Sequence, residues 1–329
     1  MSKNVLVTGA SGFIGQKLVE TLSMKGFRVK ACIRNPGKLE IFNELDGVEA
    51  IQLDILDKKS LLRAMSDVHY VYHLAAFVDA RAERNKLVKA NVEGTKNVWE
   101  SAADSGVEKA LYCSTTAVYG LLSKGHQPIS ENVIPRAIEP YGRSKLLGEN
   151  EALGISVKAS IPTVIIRPVA VFGPGQNTRF GKKLQRAAIS RLLLAAGFEK
   201  RAFNFVHVED VVDACIHLMG VPHSSGEIYN IAAEVPILYE EAFNVYRNVL
   251  RKSSNPLYWQ KFLADISALI HRHSSIAGIL SKVGSKQLVF RIWQPGFDMT
   301  YSSEKLIRTG FRYKWSDFEE VLSSCMHEK

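Results

Sequence analysis

Cysteine is scarce: four residues in 329, at positions 32, 113, 215 and 325, lie far apart along the chain. That count and scatter exclude a disulfide scaffold. Cys32 and Cys113 fall within apolar, strand-like runs, which suits small buried hydrophobes in a reducing compartment. No Cys or His spacing suits a metal ion. His271 and His273 lie two apart, and residues two apart on a helix do not face each other. Long apolar runs are missing too. None approaches the ~20 residues that span a bilayer. Met1-Ser2-Lys3-Asn4 leads directly into an apolar strand, with no export-signal pattern. A cytoplasmic protein is the expectation. Compact basic blocks are absent as well: the net charge is +9, yet Lys and Arg are spread along the chain. Nucleic acid is therefore not an expected partner. Anionic ligands such as phosphates explain part of such a surplus, and contact with an anionic membrane surface is an alternative.

What is present is a rhythm. Short β-branched runs at 5–8, 28–33, 49–53, 70–74, 110–114 and 163–167 alternate with amphipathic stretches such as 13–25, 86–104 and 141–157. Alternating strands and helices imply right-handed βαβ crossovers and a parallel sheet covered on both faces. After Pro168 the rhythm breaks. A turn at Gly173-Pro174-Gly175 precedes a basic helical stretch (179–195), a strand (203–207), a helix (211–219) and a strand (228–231). Helical patterns at 239–250 and 258–270 follow. The fold class is thus α/β, a doubly wound parallel sheet with a smaller mixed lobe at the carboxyl ends of its strands, where open α/β sheets bind ligands. The expected division is a sheet domain over 1–168 with returning segments near 203–220 and 297–303. Segments 169–202 and 221–296 form the substrate lobe, and 304–329 the C-terminal helices.

The motif "VLVTGASGFIG" puts Gly9, Gly12 and Gly15 after the first strand and at the start of the first helix. In that context the glycines serve a tight turn, close backbone approach to a pyrophosphate, and helix–strand packing, with the helix N-terminus facing the phosphates. The spacing GxxGxxG resembles that of the short-chain dehydrogenases/reductases, and "TGASGFIG" with this length resembles their extended branch, a Rossmann-like fold. The resemblance implies cofactor contacts at Ser11, Phe13 and Ile14 beside the glycines. The second strand ends in Ile33-Arg34, with Lys38 nearby, where NAD-preferring proteins carry Asp or Glu. A guanidinium suits a ribose 2′-phosphate, so NADP(H) is favoured over NAD(H). Arg34 could instead be a solvated loop cation or stack on the adenine. Asp54 sits where the family binds the adenine amino group, beside Ile55, and could equally cap a helix.

Further segments extend the resemblance: "YHLAA" (72–76), "NVEGTKNV" (91–98), "CSTTAVYG" (113–120), "EPYGRSK" (139–145) and "IIRPVAVFGPG" (165–175). It implies backbone approach to the cofactor at Leu74, Ala75 and Ala76, a strand-fixing Asn91, and nicotinamide contacts at Pro168 and Val171. Ser114, Tyr141 and Lys145 join the cofactor set. The catalytic set is Thr115, Tyr141 and Lys145, where Ser114 and Thr116 remain alternatives one place either side of Thr115. Tyr141 follows Thr115 by 26 residues. Lys145 lies one helical turn from Tyr141 on the same face. Its charge favours the phenolate, whose ordinary pKa near 10 is poorly matched to neutral pH, so that Tyr141 becomes a general acid–base. A threonine hydroxyl gives a preorganised bond to a forming alkoxide. Substrate contacts are expected at Phe77, Thr115, Thr116, Val169 and Phe172.

The substrate reads as apolar. Extended members acting on nucleotide sugars usually carry an Arg just before the "FVHV" phrase, and Phe203 stands there, with Arg201 two residues earlier. Segment 256–280 is apolar at helical spacing: lobe core, a substrate wall, or a peripheral membrane face. The order of segments resembles the 3β-hydroxysteroid dehydrogenase and dihydroflavonol reductase group. That implies an oxidoreductase acting between hydroxyl and ketone, with a nucleotide-sugar epimerase or dehydratase as the alternative. It also implies a homodimer through two sheet-domain helices.

Overall fold

The computed structural model describes residues 3–78, 83–120, 127–175, 181, 184, 201–249 and 299–326. Strands β1 (Asn4–Thr8), β2 (Arg28–Ile33), β3 (Val48–Gln52), β4 (Tyr70–His73), β5 (Lys109–Cys113), β6 (Thr163–Pro168) and β7 (Ile228–Ile231) form one parallel sheet. Its order is β7-β6-β5-β4-β1-β2-β3. The order in which strands are added reverses between β1 and β4, which run parallel, and such a switch point is the crevice where these sheets bind ligands. The strands read as continuous apolar runs because both faces are buried. Period-two alternation then splits each strand between two cores. Val5 and Val7 pack towards helix α1 (Phe13–Met24) and the Val208–Gly220 helix. Leu6 packs on the opposite face with Leu61, Val98 and Ala152. These come from α2 (Lys58–Ala64), α4 (Gly94–Asp104) and α5 (Pro140–Ala159).

A third core holds the lobe, built from Phe172, Phe203, Phe205, Tyr239, Phe243 and Phe318. The terminal Phe318–Ser324 helix packs into this cluster rather than standing apart, and Phe318 meets Phe172 with ring centroids 5.3 Å apart. Among the described residues no helix is long and apolar enough to cross a membrane.

Two expected elements come out differently. The single strand over 203–207 is two: Ala202–Phe203 pairs antiparallel with Ile237–Leu238, and Phe205–His207 pairs parallel with Ala170–Phe172. Asn204 is the cause. Its amide donates to Ala233 O at 2.7 Å and accepts from Tyr301 N at 2.7 Å, which turns the chain from one sheet to the other. The single helix over 86–104 is α3 (Arg84–Val88), a π turn over Lys89–Glu93, and then α4. The wide turn places Asn91 inward, and π turns mark functional sites often enough to direct attention there. The helical stretches at 179–195 and 258–270 fall on or largely on residues outside those described.

Candidate active site

The carboxyl ends of the strands open into a cleft of about 580 Å³. Its floor at one end is the glycine loop. Gly9 takes φ +70°, and a Cβ there would stand 2.6 Å from Ala75 N. A Cβ at Gly15 would overlap the Gly9 carbonyl, so the helix can sit against the turn only with glycine. Helix α1 begins without a side-chain cap, leaving first-turn N–H groups for a ligand.

Of the residues singled out in the sequence, Gly9, Ser11, Gly12, Phe13, Ile14, Gly15, Arg34, Asp54, Ile55, Leu74, Ala75 and Ala76 line this cleft. So do Ser114, Thr115, Tyr141, Lys145, Pro168, Val169 and Val171. Arg34 is exposed at its rim and has no hydrogen-bond or ion-pair partner among the described residues. Asp54 accepts from Leu56 N at 3.0 Å, a local turn bond that leaves its second oxygen free.

Five expected residues do not line it. Lys38 rides outward on the Pro36–Phe42 turn, which Asn35 caps. Asn91 is buried and fully engaged, accepting from Phe77 N at 2.7 Å and donating to Phe77 O and to Ser144 Oγ. It fixes Phe77, which is half-buried and does not line the cleft. Thr116 turns away from the opening and donates to Pro168 O at 3.3 Å. Phe172 is wholly buried in the lobe core, because strand alternation points it opposite to Val171. Conversely, Thr8, Cys32, Leu53, Leu56, Val78, Ala90, Cys113 and Ala170 also line the cleft. Most sit at or just beyond strand ends, the one signal that finds them before a structure exists.

The three neighbouring hydroxyls separate by their bonding. Ser114 donates to Glu149 Oε1, and Thr116 to Pro168 O. Thr115 Oγ1 accepts from Ala117 N at 3.2 Å and its proton has no acceptor among the described residues. Only Thr115 therefore keeps a free donor over the cleft.

Close packing sets Tyr141 and Lys145. A Cβ at Gly142 would lie 2.5 Å from Ala117 O, and one at Gly148 would strike Asn91 O and the Tyr112 hydroxyl. Two glycines thus let α5 lie directly on the end of β5. Lys145 is 1% exposed, and its Nζ has no hydrogen-bond partner among the described residues, resting 4.0 Å from the Tyr112 ring centroid. Burial pulls its ammonium down to about 8, while Cys113 and Glu149 act the other way. Burial also pushes the Tyr141 phenol above its ordinary range, with Cys113 adding to the effect. The expected lowering by Lys145 is thus not a property of the protein alone, where burial sets the direction.

Behind them, Thr8 Oγ1 meets His73 Nδ1 at 2.6 Å, and His73 Nε2 meets Thr95 Oγ1 at 3.0 Å. Thr95 donates to Asn91 O, so it accepts from His73, and Nδ1 accepts from Thr8. Burial holds this histidine neutral. His207 caps the Val208–Gly220 helix and stacks on Trp315, while Asp210 accepts from Lys314 N and Trp315 N. Both side chains tie the Val208–Gly220 helix to the terminal segment.

An orphaned buried ammonium above a glycine cradle fits a dinucleotide: Lys145 for ribose hydroxyls, the α1 N-terminus for pyrophosphate. Fold and cleft define an NAD(P)-dependent enzyme of the extended short-chain dehydrogenase/reductase type, whose members act on CH–OH groups. The NAD dependent epimerase/dehydratase family matches residues 5–232, and the chain belongs to that family. A UDP-N-acetyl-alpha-D-glucosaminuronate decarboxylase of Bacillus cytotoxicus is 33% identical over 71% of this chain and 76% of its own. A dihydroflavonol 4-reductase of Callistephus chinensis is 26% identical over 98% of this chain and 85% of its own. The solved structure of MoeE5 in complex with UDP-glucose and NAD is 29% identical, covering 75% of this chain and 81% of its own, with TM-score 0.64.

Proposed function

We propose that the chain is a cytoplasmic NADP(H)-dependent oxidoreductase interconverting a hydroxyl and a ketone on a largely apolar, ring-bearing substrate. The observation that carries this is the free Thr115 donor, which shares one cleft with Tyr141, Lys145 and the apolar segment Pro168–Val169–Ala170–Val171. When bound, the nicotinamide supplies or accepts a hydride. Tyr141, a phenol throughout the neutral range, gives the proton to the forming alkoxide in ketone reduction, and Thr115 orients that oxygen. Lys145 grips the ribose. Apart from Arg34 and Lys145, the cleft has no cation among the described residues, and Phe203 is buried in the lobe core. Both points suit an uncharged substrate. No disulfide joins the four cysteines, which suits a reducing compartment. A homodimer through α4 and α5 belongs to the same proposal, supported by Leu147 and Val157 exposed on α5. Peripheral membrane contact through 256–280 concerns residues outside those described.

The nucleotide-sugar alternative is favoured by the 33% identity to the UDP-sugar decarboxylase and by the likeness to MoeE5 in complex with UDP-glucose and NAD. The cofactor proposal is tested by titrating NADPH and NADH. Partnerless Arg34 should make NADPH the tighter ligand, and Arg34→Ala should weaken NADPH about tenfold or more while sparing NADH, as expected for loss of a charge-assisted phosphate bond. Equal weakening of both nucleotides would refute it.

A further inference from the structure

Beneath the cleft lies a buried ionic network. Arg167, on β6, donates from Nε and Nη2 to Glu149 Oε1 and Oε2 at 2.9 and 2.6 Å. Its Nη1 donates to the Tyr119 hydroxyl at 2.9 Å, and Tyr119 donates to Asn230 Oδ1 at 2.9 Å. Asn230 in turn donates to Ile129 O at 3.1 Å and Ser302 O at 3.3 Å. Ser114 Oγ donates to the same Glu149 oxygen that Arg167 Nε holds. Glu149 and Arg167 are 1% and 2% exposed. Two charges taken wholly out of water gain little net stability, so a function in orientation accounts for them better than a contribution to folding.

Their position gives that function content. Glu149 lies one helical turn beyond Lys145, as Lys145 lies one turn beyond Tyr141. The carboxylate thus joins three things: the strand end carrying Ser114 and Thr115, the helix carrying Tyr141 and Lys145, and the strand leading into Pro168–Val171. We propose that Glu149 is a positioning residue of the active site: clamped by Arg167, it holds the Ser114 turn in place and sets the electrostatic environment in which Lys145 meets the dinucleotide. This rests on the site assignment made above. Among the described residues, the titratable groups around Lys145 are His73 from β4, Tyr112 and Cys113 from β5, and Tyr141 and Glu149 from its own helix. Of these Glu149 is the one carboxylate, and removing its charge leaves desolvation of Lys145 less opposed.

The test uses full-length protein carrying lysine labelled with heavy carbon at Cε, titrated by NMR, with NADPH binding measured across the same pH range. Loss of one resonance in Lys145→Met assigns it. The expected result is that Glu149→Gln moves the Lys145 midpoint to lower pH, and that the pH at which NADPH affinity falls off moves with it. Arg167→Lys, which keeps both charges, should retain most of the wild-type midpoint. The pair Glu149→Gln with Arg167→Met leaves no orphaned buried charge and should show the same downward shift. An unchanged midpoint in both Glu149 variants overturns the inference while leaving the site assignment standing. NADPH binding as tight in Lys145→Met as in wild type overturns the site assignment, and the inference with it.

Discussion

Replacing Tyr141 by Phe should lower kcat about 10²–10⁴-fold while leaving NADPH affinity and thermal stability near wild type. The phenyl ring preserves the packing of the first turn of α5, where Pro140 starts the helix and Gly142 brings it against Ala117 O. Only the hydroxyl is lost, and among the described residues that hydroxyl makes no hydrogen bond. A group that supports no structure but faces the cleft beside a free threonine donor has chemistry as its remaining use. Direction matters as well. Burial raises the phenol pKa, so the protonated form dominates at neutral pH and reduction proceeds with the acid already in place. Oxidation needs the phenolate, and its rate should climb with pH over the range in which reduction is flat or falling. Steady-state rates in both directions, across pH, check this; equal pH dependence in the two directions would contradict it.

Lys145→Met carries the second large effect. Methionine matches the apolar stem and keeps contact with the Tyr112 ring, but removes the ammonium resting 4.0 Å from that ring's centroid. NADP(H) affinity should fall by one to two orders of magnitude, with kcat falling alongside, because the cation serves both ribose and phenol. The sign of the pH effect follows from its position. Burial lowers this lysine to about 8, so it is charged below that pH and neutral above. Wild-type binding of an anionic nucleotide should therefore weaken as pH rises through about 8, and the variant should lack that inflection. A binding titration at several pH values reads both.

How far this was legible in sequence depends on the kind of interaction. The parallel sheet was, because strands buried on both faces spell continuous apolar runs, and each of the six runs named in the first half became a strand within a residue or so. The glycine loop was legible because Gly9 and Gly15 answer backbone collisions that any side chain would create. Side-chain bonding was not. Three consecutive hydroxyls look alike until Ser114 is found on Glu149 and Thr116 on Pro168 O. Phe172 reads as a pocket wall from its motif, yet alternation turns it into the lobe core against Phe318. Glu149 and Arg167 are ordinary charged letters in sequence, and only burial joins them across 18 residues of chain. The split at Asn204 and the π turn at Asn91 escape periodicity for the same reason: one amide's partners, distant in sequence, reshape a local element.

The most direct test offers purified wild type and Tyr141→Phe two substrate sets with NADPH and with NAD: apolar cyclic ketones of steroid and flavonoid type, and UDP-sugars. Product analysis is run beside cofactor absorbance. The proposal predicts net, stoichiometric NADPH oxidation with reduction of an apolar ketone, lost in Tyr141→Phe, and no conversion of UDP-sugars. Conversion of a UDP-sugar on retained NAD, with no net change in cofactor and no reduction of any apolar ketone, would contradict it.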